Sequence, residues 1–160
     1  MRIPRSVRAS RLERRRPLPG DDLILDAIAS LTHAITIRRP RHEVWPWLGS
    51  LFPALPGATR GFHVLTLQRD MYLVIGRKPQ GAAPLMTWVF VLEERPGWTT
   101  RLIVRARGGR AYTFHGLPAW LATPIIRIGY FFTQRQQLRT IAERVESQPR
   151  SAAGGQREAA

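Results

Sequence analysis

The chain predicts an α+β fold in which antiparallel strands come first and a long helix last. Three observations carry that expectation. Thr32–Arg38 alternates, with Ile35 and Ile37 on one face and Ala34, Thr36 and Arg38 on the other, the period of two of a half-buried strand. Thr99–Arg107 alternates again: Leu102, Val104 and Ala106 fall inward, and Arg101, Ile103, Arg105 and Arg107 outward. Leu121, Ile125, Ile128, Phe132, Leu138, Ile141 and Val145 recur mostly at steps of three and four, the stripe of an amphipathic helix.

In chain order, residues 1–20 hold seven Arg, one Glu and three Pro. So polar a segment buries little apolar surface, and it reads as a basic, mostly disordered arm. Asp22–Leu31 is either a short helix or an extended lead-in. The first strand, 33–38, ends at Pro40, which has no N–H to give a neighbour and whose fixed φ suits a helix's first turn. Val44 and Leu48 then share one face at i and i+4, while Pro46 predicts that this helix is short or kinked. Leu51–Gly61, with Pro53, Pro56, Gly57 and Gly61, reads as loop.

Strands follow at 62–68 and 71–77, turning at Gln68–Asp70, and then at 85–93, where Trp88, Phe90 and Leu92 share a face. Arg95–Trp98 turns the chain into strand 99–107. Gly108–Gly109 breaks that strand, and an edge at 111–114 is a further expectation. The last helix has Thr123 as N-cap and Pro124 as first residue. Its outer face takes Arg127, Arg135, Arg139 and Arg144. The domain is expected over 21–148, with a disordered tail over 149–160.

The 160 residues suit one domain with tails, and 44% hydrophobic content is enough for a core. Net charge is +14, and every basic residue except Lys78 is Arg. That balance reads either as the codon bias of a GC-rich genome or as the footprint of a polyanion partner. Cysteine is absent, which excludes disulfides, thiolate catalysis and Cys-ligated zinc. The four histidines, 33, 42, 63 and 115, lack metal-ligand spacing, so neither a metal nor another cofactor is expected. No apolar run reaches the roughly 18–20 residues of a spanning helix, and the basic N-terminus lacks a signal peptide's apolar core. A cytoplasmic location is the expectation.

The strand–Pro–helix unit, with Ile35, Ile37, Pro40, Val44 and Trp45, resembles the N-terminal signature of the START-like helix-grip superfamily, also called SRPBCC, of polyketide cyclase/dehydrase and lipid-transport type. Arg16–Leu23 (RPLPGDDL) and Val44–Leu48 (VWPWL) resemble one subgroup, and the likeness covers roughly 16–50 and 62–147. It implies an antiparallel sheet wrapped around a long C-terminal helix, with the end of the N-terminal segment draped over the domain. Members usually carry further helical and strand segments where this chain has only the loop-like residues before Phe62. A reduced number of strands is therefore expected, leaving an open edge for self-association or a shallow groove.

The resemblance also implies a cavity between sheet and helix, suited to a lipid, polyketide or other apolar molecule. Candidate lining residues are Trp88, Phe90, Leu102, Val104, Ile125, Ile128 and Phe132. Tyr112 and His115 are candidates to move protons at its mouth, and Arg127 to bind an anionic group. No nucleophile–His–acid order, phosphate loop or paired carboxylate stands out, so binding is favoured over catalysis. Two other readings stay open: an Arg-rich module for nucleic acid or an anionic membrane, and a cyclase or dehydratase acting on the bound ligand.

Overall fold

The computed structural model describes residues 6–54, 62–110 and 135–149; the side chains of 50–54 are not among them. Elements follow in the order α1 (Arg11–Arg15), a 3-10 turn (Asp21–Leu23), β1 (Ala27–Ile37), α2 (Arg41–Ala54), β2 (Phe62–Gln68), β3 (Tyr72–Arg77), β4 (Met86–Arg95) and β5 (Thr99–Gly109). A closing helix, α3, is described over 135–147. The five strands form one antiparallel sheet in the order β1-β5-β4-β3-β2. This is the α+β arrangement that the alternating runs and the C-terminal stripe predict.

Local chemistry explains the boundaries. Pro40 ends β1, and its carbonyl accepts the first bonds of α2, from the N–H groups of Glu43 and Val44. Pro46 costs that helix one internal bond, yet α2 runs 14 residues, beyond the short unit and into the stretch expected as loop. Its buried Val44 and Leu48 hold it on the sheet, and packing outweighs the lost bond. The β2–β3 turn stands where expected, with Asp70 left-handed at φ 59° and the Met71 N–H donating to the Gln68 carbonyl at 3.0 Å.

Two strands outrun the sequence reading. β1 begins at Ala27, because the lead-in pairs with an equally long β5: Ala27 faces Gly109, and Ala29 faces Gly108. The two glycines do not break β5; the Gly109 N–H donates to the Leu85 carbonyl at 2.9 Å. The possible strand at 111–114 lies outside the described residues, as does the tail beyond 149.

The largest correction concerns the arm. Residues 6–20 are ordered and packed. Val7, Ala9, Glu13 and Leu18 are buried, and a capping box closes α1: the Ser10 hydroxyl accepts from the Glu13 N–H, and the Glu13 carboxylate accepts from the Ser10 N–H. Composition alone pointed to disorder because the partners of this polar segment lie 77–93 positions away, on β4 and β5.

Both sheet faces are therefore covered. On the concave face, Ile35, Ile37, Leu73, Ile75, Trp88, Phe90, Leu92, Leu102 and Val104 pack with Val44 and Leu48 of α2 and with Leu138, Ile141, Ala142 and Val145 of α3. On the convex face, Ala34, Val74, Val89 and Ile103 pack with Ala9 and Leu18 of the N-terminal segment. Gly20 marks a close approach: at φ 83°, a Cβ there would stand 2.8 Å from a methyl of Val74. β2 ends the strand order, with Val64 and Leu67 half-exposed.

Candidate functional site

The concave face is a grid of inward side chains set by strand register. One row runs His33–Val104–Phe90–Leu73 across β1, β5, β4 and β3. The next row toward one end of the sheet is Leu31–Ala106–Trp88–Ile75, and toward the other Ile35–Leu102–Leu92. The structure thus brings four expected lining residues, Trp88, Phe90, Leu102 and Val104, into one contiguous patch, each at most 4% exposed. Tyr112, His115, Ile125, Arg127, Ile128 and Phe132 lie outside the described residues.

Aromatic rings frame the patch. Phe62 of β2 stacks on Trp88, with ring centroids 5.7 Å apart and planes at 28°. Phe62, Trp45 and Trp47 are only partly buried where they pack against the core.

No protein-family model matches the chain, and no curated protein matches it. Among solved structures, the chain is similar to a protein from Bacillus halodurans, with 13% identity, 74% of this chain and 99% of that one covered, and a TM-score of 0.51. The chain has the helix-grip fold. It is also similar to an aromatase/cyclase from Streptomyces, at 17% identity, with 79% of this chain and 98% of that one covered and a TM-score of 0.48. A third similarity is to the di-domain ARO/CYC protein of a biosynthetic pathway, at 14% identity and a TM-score of 0.49; it covers 76% of this chain but 51% of that larger one.

Within the three rows just described, His33 is a polar residue among apolar ones, and the sequence reading passed over it. His33 is 3% exposed and belongs to the same face as Ile35 and Ile37. The signal was present, since His33 continues their alternation by two. Burial, and then the positive charge of Arg135, hold its imidazole below the ordinary value, opposed by a hydrogen bond to the Val7 backbone. His33 is therefore a neutral ring at pH 7.

Arg135 is the second residue that sequence misplaced. Expected on the outer face of α3, it stands three residues before buried Leu138, on the stripe that continues through Ile141, Ala142 and Val145. Its Nε is buried. By contrast, Arg139 and Arg144 are exposed, as expected.

The other end of α3 is clasped to β1. Arg39 is 8% exposed and donates to the carbonyls of Val145, Glu146 and Gln148, and it pairs with Glu43 at 3.3 Å. The Arg38 N–H donates to the Glu146 carboxylate at 2.7 Å. A guanidinium thus satisfies the last carbonyls of the helix and complements its dipole. The clasp fixes α3 over the concave face and sets which helix residue meets which strand residue.

Among the described residues no cluster of His, Asp and Glu could hold a metal, and no helix is long and apolar enough to cross a membrane.

Proposed function

We propose that the protein binds an apolar small molecule, a lipid, polyketide or similar compound, against the concave face of its helix-grip sheet. The observation that carries this reading is the aromatic rim: Phe62, Trp45 and Trp47 stand partly covered against the apolar rows that contain Trp88 and Phe90. Each of the three rings keeps a minor part of its surface open, and a ligand of apolar character would complete their burial. A cyclase or dehydratase step would further need a proton-moving group on that face, and neutral His33 is positioned to supply one.

The polyanion reading loses its strongest residues. Arg101, Arg105 and Arg107, expected as an outward basic row, are occupied under the N-terminal segment by Glu13 and Asp21. The test is titration with a neutral apolar fluorophore such as N-phenyl-1-naphthylamine. Binding should quench tryptophan emission, weaken in Phe90→Ala without unfolding the protein, and persist in high salt, where polyanion binding falls steeply. A folded protein that binds no neutral apolar probe would overturn the proposal.

A further inference from the structure

The N-terminal segment that covers the convex face has one side spent and one side free. The sheet takes its inner side. The carbonyls of Arg8, Glu13, Arg14 and Arg16 accept from Arg101 or Arg105, and the carboxylates of Glu13 and Asp21 pair with the sheet arginines. Those contacts fix which way α1 is turned. Glu13 is buried, and at 100° per residue Arg11 and Arg15 stand about 160° from it on either side, with Leu12 and Arg14 flanking them.

What faces outward is basic. Arg8, Arg11, Arg14 and Arg15 are all exposed, and among the described residues none of them is ion-paired. The acids within reach are already held: Glu13 by Arg101, Asp21 by Arg105 and Arg107, and Glu93 by Arg16. Arg14 donates to the Ala9 carbonyl and keeps its charge. Arg11 and Arg15, four apart on one helix, repel each other. The exposed acids Asp22 and Asp26 come only at the other end of the segment.

The same stretch carries the large apolar side chains most open to water among the described residues, Leu25 at 87% and Leu12 at 73% exposure. Leu12 stands within the arginine group. Leu25 follows Ile24, whose carbonyl is held by Arg107, two residues along the same face of β5 from Arg105. Guanidinium groups match phosphate oxygens, and leucines protruding among them suit the boundary between headgroups and acyl chains. Phosphate contacts to a nucleic acid would use the arginines and leave the leucines in water.

We infer that the outer side of α1, with Arg8, Arg11, Leu12, Arg14 and Arg15, docks the protein reversibly on an anionic phospholipid surface. The patch lies on the opposite side of the sheet from the concave face, so the inference does not depend on what that face binds. At roughly five-fold in affinity for each arginine near such a surface, the four together give several hundred-fold, a reversible attachment.

Co-sedimentation of the full chain with vesicles tests this, using phosphatidylcholine alone and phosphatidylcholine mixed with phosphatidylglycerol. The native protein is expected to bind the mixed vesicles, to pass over the neutral ones, and to be released as salt rises. Arg11→Gln combined with Arg15→Gln should weaken binding about twenty-fold. Arg139→Gln combined with Arg144→Gln removes the same charge from the exposed side of α3 and should change binding by no more than about two-fold. Leu12→Ser should weaken vesicle binding about five-fold and leave any binding of duplex DNA unchanged. The substituted side chains are exposed, and the salt response of the native protein tests the charge without a substitution. Equal binding to the two kinds of vesicle, equal losses in the two arginine pairs, or no loss in Leu12→Ser would overturn the inference. The last of these, together with tight binding of duplex DNA, would assign the patch to nucleic acid instead.

Discussion

The concave face of the sheet buries more and larger apolar side chains than the convex face, and the two faces hold their covers by different physics. On the concave face, helices contribute Val44, Leu48, Leu138, Ile141, Ala142 and Val145, and cohesion comes from packing. The convex cover is a thin strap, residues 8–24, whose own apolar contribution is small, chiefly Ala9, Leu18 and Leu23. It is held by ions. Arg101 forms a fork with Glu13, its Nε and Nη2 reaching the two carboxylate oxygens at 2.8 and 3.0 Å. Arg105, 3% exposed, places all five of its N–H donors: on Thr32 Oγ1, the carbonyls of Glu13, Arg14 and Arg16, and the Asp21 carboxylate. Three of those acceptors lie at the C-terminal end of α1, where a cation also meets the helix dipole. Arg107 donates to the Ile24 carbonyl at 3.0 Å and pairs with Asp21, and Arg16 pairs with Glu93. A segment too polar to make a core of its own can therefore still be ordered, provided the sheet presents fixed guanidinium groups to its carbonyls and carboxylates.

Deletion of residues 1–16 is the largest perturbation of that comparison. It removes Ala9 and the ion-paired Glu13 from the convex cover and Val7 from the concave core, and at about 1.5–3 kcal/mol for a large buried side chain, with Arg101 left unpaired, the loss is a large part of the stability of an ordinary domain. A melting temperature unchanged by the deletion would show that the strap contributes nothing. Next in size are two neighbours in sequence that point to opposite faces. Leu102→Ala and Ile103→Ala each remove a fully buried side chain, and each is expected to cost about 3 kcal/mol in urea unfolding. A cost below about 1 kcal/mol for Ile103→Ala alone would mean that the convex cover yields where the helices do not.

Acid separates the faces by chemistry. The hydrogen bonds from Arg101, aided by those from Ser10, hold the Glu13 carboxyl at about 2, below its ordinary 4.5. As pH falls the unfolded chain takes up this proton first, so the stabilisation from Glu13 is complete above 4.5 and is lost as pH drops toward 2. His33 is shifted in the same direction from 6.5, so its contribution is complete above that pH and declines below it, in a milder range than Glu13. Urea midpoints followed from neutral into acid should fall in two stages. His33→Gln is expected to flatten the first stage and Glu13→Gln the second. A first stage that persists in His33→Gln would assign it to another group. The smallest effect expected is from Arg139→Ala, on the exposed side of α3, within about 0.5 kcal/mol.

The sequence by itself determined the strands and what they point at. Alternation by two placed Trp88, Phe90, Leu102 and Val104 inward and Arg101, Arg105 and Arg107 outward, because side-chain direction in a strand is fixed by parity and needs no partner. Pro40, Asp70 and the Arg95–Trp98 turn were legible for the same reason: they act through local backbone geometry, as Trp98 shows with φ 55° beside Gly97 at φ 77°. Tertiary structure alone decided what those side chains meet. That the outward arginines face a folded strap, that Arg39 closes a helix 106–109 residues away, and that the charge of Arg135 reaches His33 all depend on which distant segments the sheet brings together. A polar residue is read from sequence as solvated because its default partner is water. Only the fold can replace that water with a carbonyl or a carboxylate, and it does so at Arg105, Glu13 and Arg39.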